Sequence, residues 1–525
     1  MRILIAEPLS EGGVKLLRGQ PGWEVVTSNP KEFTQYLPDA DALIVRSGLI
    51  VDRKILEQAP KLRVIGRAGV GVDNVDLAAA TSAGVLVMNT PGGNAVSVAE
   101  HTIALMLSMA RSIPAASAST KAGKWEKRKF MGTELRRKTL GIVGLGSVGR
   151  EVVKRAAAFE MRIIANDPYV NSQTAKSVGV DLVDLPALYA ESDYITLHTA
   201  LTPESHRMLS REAFAKMKPG VRILNCARGE LIDEQALREA LESGRVAGAA
   251  LDVFEHEPPD AGDPLLKIET LVATPHIGGS TEEAQETVAL RLAEQIVDYL
   301  VHGIALHAVN LPALTPEQYR TLAPYSRLAE RLGNFASYIA KGNPQTVRFV
   351  YFGKLAEFNT HYVRNAGLAG ILQRSLARRA NSINAMQIAA DRGLTVAERH
   401  DQRAAHIDTV RLELETDAGQ TVVEGAVLLD HPRLVQVDGI HCEAPLEGNL
   451  TFLQNADVPG VIGYIGDVLG KNKINIATFS LGRSKAGAEA VAVVQTDQPV
   501  PDAVLAEIKK NTSIKRASAV KFDGV

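Results

Sequence analysis

The stretch "KTLGIVGLGSVGREVVKRAAAFEMRIIANDP", residues 138–168, limits the fold more than any other part of the chain. An apolar run enters Gly144-Leu145-Gly146-Ser147-Val148-Gly149. A helical pattern follows, then a second apolar run that ends at Asp167. Each glycine has its own physical task. Gly144 permits a tight turn, Gly146 leaves the backbone bare for a pyrophosphate, and Gly149 lets the helix pack closely. Ser147 and Val148 open the helix, whose free N–H groups and positive dipole end suit a phosphate. Asp167 lies eighteen residues after Gly149, placed to accept hydrogen bonds from a ribose diol. Its charge disfavours a 2′-phosphate, so the expected cofactor is NAD rather than NADP. Strand, turn, helix, strand and acid fall in order, which separates this stretch from a plain βα turn. The glycines of "GRAGVGVDNVD", 66–76, lack that spacing and the acid. They read as a loop whose bare backbone faces a ligand, with a pure turn as the equal alternative.

A chain of 525 residues is too long for one core and suggests three or four domains. Before the dinucleotide motif, "RILIAE", "WEVVTS", "ALIVRS", "RVIGRAG" and "GVLVMN" alternate with helical patterns. From 139 the same rhythm repeats in "KTLGIVG", "MRIIAND", "YITLH", "VRILNCA", "AALDVF" and "TLVATPH". Two doubly wound parallel-sheet domains of the α/β class are therefore expected, a Rossmann-type cofactor domain and a flavodoxin-like partner. A helix pattern runs from Thr281 to about Val301, and "VNLPAL" at 309–314 looks like a boundary. Residues 315–450 mix helical and strand patterns with no readable motif. The last 75 residues read strand, helix, strand, strand, helix, strand, the ferredoxin-like α+β plan.

Composition removes several classes of function. Net charge is −2 with both signs interleaved, so no basic stripe points to nucleic acid. "TIALMLSMA", 102–110, is too short to span a bilayer and reads as a buried helix, so no membrane is expected. The opening "MRILIAEPL" reads as a strand rather than a secretory signal. Cys226 and Cys442 form neither a disulfide framework nor a metal cluster, which fits a reducing cytoplasm and no metal.

A nicotinamide cofactor carries hydride, and the protein must supply an acid/base and a substrate clamp. Three segments end strands in the second series: "RILNCARGE" with Arg228, "ALDVFEHEPP" with Glu255 and Glu257, and "LVATPHIGGS" with His276. Ligands of open α/β sheets bind at the carboxyl ends of strands, so these can converge. An arginine can hold a carboxylate with two parallel hydrogen bonds. A histidine can take and return a hydroxyl proton, and a glutamate beside it orients the ring. Taken singly, each is more often an ordinary polar residue. His198, also at a strand end, is a rival base, whereas His101, His206, His302 and His307 read as structural. Ser280 and Glu283 suggest a capping box and a helix start just after His276.

Together, "GIVGLGSVGR", "NCARGELID", "ALDVFEHEPP" and "ATPHIGGST" resemble the signatures of the D-isomer-specific 2-hydroxyacid dehydrogenases, in that family's order and spacing. The resemblance covers residues 1–312. The rest is similar to the family's long form, which adds an intervening domain and a C-terminal ACT domain. It implies a substrate domain from 1–97 with 281–312, an NAD-binding domain over 98–280, an intervening domain over 315–450 and an ACT domain over 451–525. It implies His276 as acid/base, Glu257 rather than Glu255 as its partner, and Arg228 as clamp. Thr199, Ala227 and Asp252 would contact the cofactor, Asp252 through the nicotinamide amide. Arg46, Ser47, Arg67, Gly69 and Val70 would hold substrate. Two arginines there suit a phosphate, so the implied reaction is oxidation of 3-phospho-D-glycerate to 3-phosphohydroxypyruvate, the first step of L-serine biosynthesis. Arg128, in "KWEKRKF", would reach a neighbouring subunit's site in a homo-oligomer, dimer or tetramer; a solvated charge cluster is the alternative. In the ACT-like end, Asn455, Asp457, Gly460 and Asn475 occupy positions that contact serine in such domains. Asn455 replaces the larger ring-bearing residue of other members, a departure that bears on serine inhibition. Two other readings remain open: a dehydrogenase of another 2-hydroxy acid such as glyoxylate or hydroxypyruvate, and a non-enzymatic NAD-sensing adaptor.

Overall fold

A computed structural model describes residues 1–373, 380–402 and 407–522. Its first sheet is five parallel strands in the order Glu24–Thr27, Arg2–Ile5, Ala42–Val45, Val64–Arg67, Leu86–Met88. That order is the flavodoxin-like one. Ala42 through Val45 are buried at every position, as a parallel sheet covered on both faces requires. One cover is the long helix Glu282–His302, whose Val288, Leu292, Ala293 and Ile296 pack on Ile3, Ile5, Val64 and Leu86. The chain thus returns to its first domain after building the second. Asn310 fastens the return: it accepts from Val87 N at 2.9 Å and donates to Val85 O at 2.9 Å.

The start of that helix differs from expectation by one residue. Thr281 is the N-cap and accepts from Ala284 N at 3.2 Å, so the Ser280–Glu283 box is not what caps it.

The second sheet has seven parallel strands in the order Leu271–Ala273, Val246–Leu251, Val221–Asn225, Tyr194–Leu197, Thr139–Val143, Arg162–Asn166, Asp181–Leu182. This is the Rossmann-type order, with a two-residue edge strand at 181–182 too short to leave a sequence signal. The helix Ala95–Ala110 packs on this sheet through Ala99, Ile103, Met106 and Ala110. It runs unbroken through the 97/98 division expected from the sequence.

Beyond these two parallel-sheet domains, the helix Pro316–Ile339 lies under a six-stranded sheet. A four-stranded antiparallel sheet follows in the order Ile476–Arg483, Glu489–Thr496, Asn449–Ala456, Ile514–Lys521, the ferredoxin-like arrangement. Helices Val461–Lys471 and Asp502–Ile508 cover one face of it. On the strand Asn449–Ala456, adjacent residues face different cores. Leu453 points to those helices, whereas Phe452 joins Val491, Val493 and Val520 against Phe335 of the long helix. The Phe335 and Phe452 rings meet edge to face at 5.9 Å. The division expected at 450/451 falls inside this strand, and the last two regions share one core.

That shared core is testable. Phe452→Ala removes a fully buried ring and is expected to cost about 3–5 kcal/mol. Hydrogen exchange is expected to rise in Pro316–Ile339 and in the antiparallel sheet together, and to leave the strand Thr139–Val143 unchanged.

Candidate active site

The carboxyl ends of both parallel sheets face one cleft. On the cofactor side the glycine turn has the expected tolerances. Gly144 sits at φ 93°, and an added Cβ would lie 2.4 Å from His198 O. A Cβ on Gly149 would lie 2.2 Å from Gly144 O, so its bareness admits the turn itself under the helix. A Cβ on Gly146 would meet nothing within 4 Å, leaving the space that a pyrophosphate needs. Asp167 follows its strand and accepts from Leu145 N and Tyr169 N at 2.8 and 2.9 Å, which fixes the carboxylate beside the turn. A cavity of about 420 Å³ continues past Ser147, Val148, Thr199 and Ala227 to Val70 and Arg228. This donor set and bare turn fit a dinucleotide.

The adjoining cavity, about 480 Å³, is lined by Arg228, Glu257 and His276 from the second domain and by Ser47, Arg67 and Val70 from the first. His276 Nδ1 lies 2.7 Å from Glu257 Oε2. A carboxylate can only accept, so Nδ1 carries the proton and Nε2 is left for a ligand. Glu257 Oε1 accepts from Phe254 N at 3.1 Å, which fixes the carboxylate. Glu255 is committed elsewhere, to Arg207 at 2.8 Å, so the acid beside the imidazole is Glu257, the one the resemblance implied. The rival base, which lines the cofactor cavity, is kept uncharged by its surroundings. Burial pushes the His198 pKa down to about 3, and its ring pairs with Thr196 Oγ1 at 2.9 Å.

His276 has φ 53°, a left-handed backbone uncommon outside glycine. Asp252 holds it there. The His276 N–H donates to Asp252 O at 2.8 Å. The Asp252 carboxylate accepts from His101 Nε2 (3.2 Å), Thr274 Oγ1 (2.6 Å), Ile277 N (2.9 Å) and Gly278 N (2.8 Å). Burial alone would raise its pKa, but these hydrogen bonds outweigh burial and hold the carboxyl below its ordinary value. The side chain is 1% exposed and lies under the catalytic turn. In this structure the carboxylate's four partners all come from the protein itself. His101, read from the sequence as merely structural, is one of its four donors.

A smaller pocket of about 130 Å³ opens beside His276, lined by Arg46, Ser47, Arg67 and Gly69. The Arg67 Nε is buried without a partner. Burial first, then the nearby Arg228 charge, depress its pKa, while Asp73 and Glu7 act the other way. An unsatisfied buried donor among like charges calls for an anion.

Asn94, which precedes the helix Ala95–Ala110, lines all three cavities and was not singled out from the sequence. Its one signal is position, next to glycines at a helix start. The residues expected to act outside this cleft lie away from it. Arg128 is exposed and lines none of these cavities. Asn455 is 3% exposed, with its Oδ1 unpartnered inside the last sheet. Asp457 accepts from Arg483 Nη1 and Gly487 N, and Asn475 donates to Asp497, so the two are engaged locally.

With this geometry in place, the comparisons decide the lineage. Residues 103–278 match the family model for the D-isomer specific 2-hydroxyacid dehydrogenase, NAD binding domain. Residues 321–438 match the D-3-phosphoglycerate dehydrogenase intervening domain, and 450–512 an ACT domain. A D-3-phosphoglycerate dehydrogenase from Methanocaldococcus jannaschii is 42% identical over 99% of this chain and 100% of its own. The chain belongs to the D-3-phosphoglycerate dehydrogenase family. The Bacillus subtilis member is 38% identical over 97% of both chains. Among solved structures, an NAD complex of formate dehydrogenase from Staphylococcus aureus is similar to part of this chain. It has a TM-score of 0.53 and 30% identity, and covers 58% of this chain and 97% of that one. D-lactate dehydrogenase from Escherichia coli, with a TM-score of 0.53 and 29% identity, covers 59% of this chain and all of that one. NAD is the family's cofactor, and no helix among the described residues is long and apolar enough to cross a membrane.

Asp252 gives a pH test. Asp252→Asn misplaces an amide N–H against donors and is expected to cost about 1–3 kcal/mol at neutral pH. The native carboxyl titrates below its ordinary 3.8, so its contribution is complete above about pH 4 and is lost as pH falls through the native value. Urea denaturation is expected to show a wild-type advantage at pH 7 that narrows below about pH 4.

Proposed function

We propose that the chain oxidises 3-phospho-D-glycerate to 3-phosphohydroxypyruvate with NAD, the first step of L-serine biosynthesis. The observation that carries this is a histidine–glutamate pair bordering a cleft rich in arginine, in a chain of this family. NAD, when bound, supplies the hydride acceptor. Arg228 holds the substrate carboxylate beside the cofactor cavity. Arg46 and Arg67, with Ser47 and the backbone at Gly69 and Val70, take the phosphate. His276 Nε2 removes the proton from the C2 hydroxyl as the C2–H bond breaks, and returns it in the reverse direction. Glu257 keeps the ring in the right tautomer and faces the imidazolium that forms. The cleft between two separately folded sheets lets domain closure exclude water from this chemistry.

The phosphate pocket supports this substrate over glyoxylate or unphosphorylated hydroxypyruvate, which would leave the Arg67 donor unpaired. The aligned dyad favours an enzyme over an NAD-sensing adaptor. A cytoplasmic homo-oligomer fits two unpaired cysteines and the exposed basic run around Arg128, which would act in a neighbouring subunit. L-serine is a candidate ligand of the ACT domain between paired copies, through Asn455, Asp457 and Asn475.

Reduction of 3-phosphohydroxypyruvate by NADH, beside hydroxypyruvate and glyoxylate, tests the reading. The phosphorylated acid is expected to show the highest kcat/KM. His276→Ala is expected to lose about 10²–10⁴ in kcat. Arg67→Ala is expected to raise KM for the phosphorylated acid far more than for hydroxypyruvate. Equal kcat/KM for all three acids would remove the phosphate assignment.

A further inference from the structure

One ion pair crosses the cleft between the two parallel-sheet domains. Arg228 Nε donates to Asp73 Oδ2 at 3.0 Å. Arg228 follows the strand Val221–Asn225 of the second domain. Asp73 lies in the first, on the glycine loop between Val64–Arg67 and the helix Leu77–Ser82. Both residues line the cleft cavity and the cofactor cavity. The loop is built for the contact: a Cβ on Gly71 would fall 2.0 Å from Arg228 Nη2 and 2.7 Å from Asp73 Oδ2.

The pair occupies Arg228 only in part. Its Nη1 also donates to Ala227 O at 2.7 Å, leaving Nη2 and the second Nη1 hydrogen for a ligand. Asp73 is 64% exposed, so the ion pair rather than packing positions it. Other acids at the cleft have partners of their own: Glu257 takes His276, and Glu255 takes Arg207. Glu7, which acts on Arg67 together with Asp73, is 8% exposed and accepts from Arg46 N and Gly48 N, so Asp73 is the exposed carboxylate paired with Arg228 itself.

We infer that Asp73 is a resident counter-ion of the substrate site, holding the Arg228 fork across the open cleft until the substrate carboxylate displaces it. The inference rests on the proposed function for the identity of that substrate. An arriving carboxylate repeats the chemistry that Asp73 already offers, so the exchange costs little. The displaced charge stays close to the bound anion and repels it. Repulsion grows with ligand charge, so it acts more on a phosphorylated acid than on an unphosphorylated one. Asp73 then returns the fork to its resting position as product leaves. The residue determines how strongly the site holds anions, and it takes no part in proton transfer.

Two variants and one binding measurement decide this. The NADH complex of the full chain is titrated calorimetrically with 3-phospho-D-glycerate and, separately, with D-glycerate. Asp73→Asn removes the charge and keeps a hydrogen-bond acceptor; Asp73→Ala removes both. Both variants are expected to bind the phosphorylated acid about five- to tenfold more tightly at low ionic strength, D-glycerate by a smaller factor, and the gain is expected to shrink in high salt. NADH affinity, read by fluorescence in the same samples, reports that each variant is folded. Unchanged binding in Asp73→Asn, or weaker binding in Asp73→Ala, would identify Asp73 as an orienter of Arg228 alone and overturn the counter-ion. Wild-type chain that binds 3-phospho-D-glycerate in this complex but does not reduce 3-phosphohydroxypyruvate with NADH in a separate assay would sink the proposed function while the variant comparison still decides the counter-ion. Wild-type chain that binds neither acid would overturn both.

Discussion

One buried carboxylate fixes the catalytic end of the molecule. Asp252 collects donors from the helix Ala95–Ala110, from the end of the strand Leu271–Ala273, and from two N–H groups just past His276. A charge removed from water is tolerable only when its acceptor capacity is filled. Here that requirement couples three segments of chain. Any movement of the helix or of either strand end leaves a buried donor or acceptor unpaired. The left-handed backbone of His276 is held by the same residue, through the Asp252 carbonyl. The position of the imidazole is therefore a consequence of electrostatics beneath it rather than of local preference.

The cleft above is organised by charge on opposite walls. The second domain contributes the imidazole, its glutamate and one guanidinium; the first contributes two more guanidiniums and the carboxylate that pairs with Arg228. Neither wall is complete alone. Parallel sheets make this possible because every strand delivers its carboxyl end, and so its loop, to the same edge. The remainder of the chain is built differently. The long helix Pro316–Ile339 supports two sheets at once, and Phe452 from one sheet meets Phe335 beneath the other. It also reaches the dehydrogenase half, where the Tyr319 hydroxyl donates to Gly303 O; farther along the chain, Asn381 Nδ2 donates to Gly84 O at 2.7 Å. A ligand-binding event in the last domain would therefore act on a body that is joined to the substrate domain by direct hydrogen bonds.

Legibility from sequence followed the range of the interaction. Strands of both parallel sheets were readable because burial on two faces demands unbroken apolar runs. The turn at Gly144–Gly149 was readable because backbone conformation and close approach exclude side chains there. The six-stranded sheet was not readable, since its strands carry no motif and its order joins Pro344–Phe352 to strands that begin at Thr395 and Thr409. The cap at Thr281 was missed by one residue because Ser280 and Thr281 are both competent caps, and only the chain direction leaving Gly279 selects between them.

The sequence by itself determined the two parallel-sheet domains, the ferredoxin-like end, the dinucleotide turn and a short set of polar residues at strand ends. Those depend on periodicity and on residues whose chemistry acts within a few positions. Tertiary structure alone decided which of those polar residues meet. It placed Asp252 under the catalytic turn, with His101 among its donors, and set Asp73 against Arg228 across the cleft. Each of those outcomes joins residues from separate loops or domains, and their distances are fixed by how the two sheets pack, which no local pattern encodes.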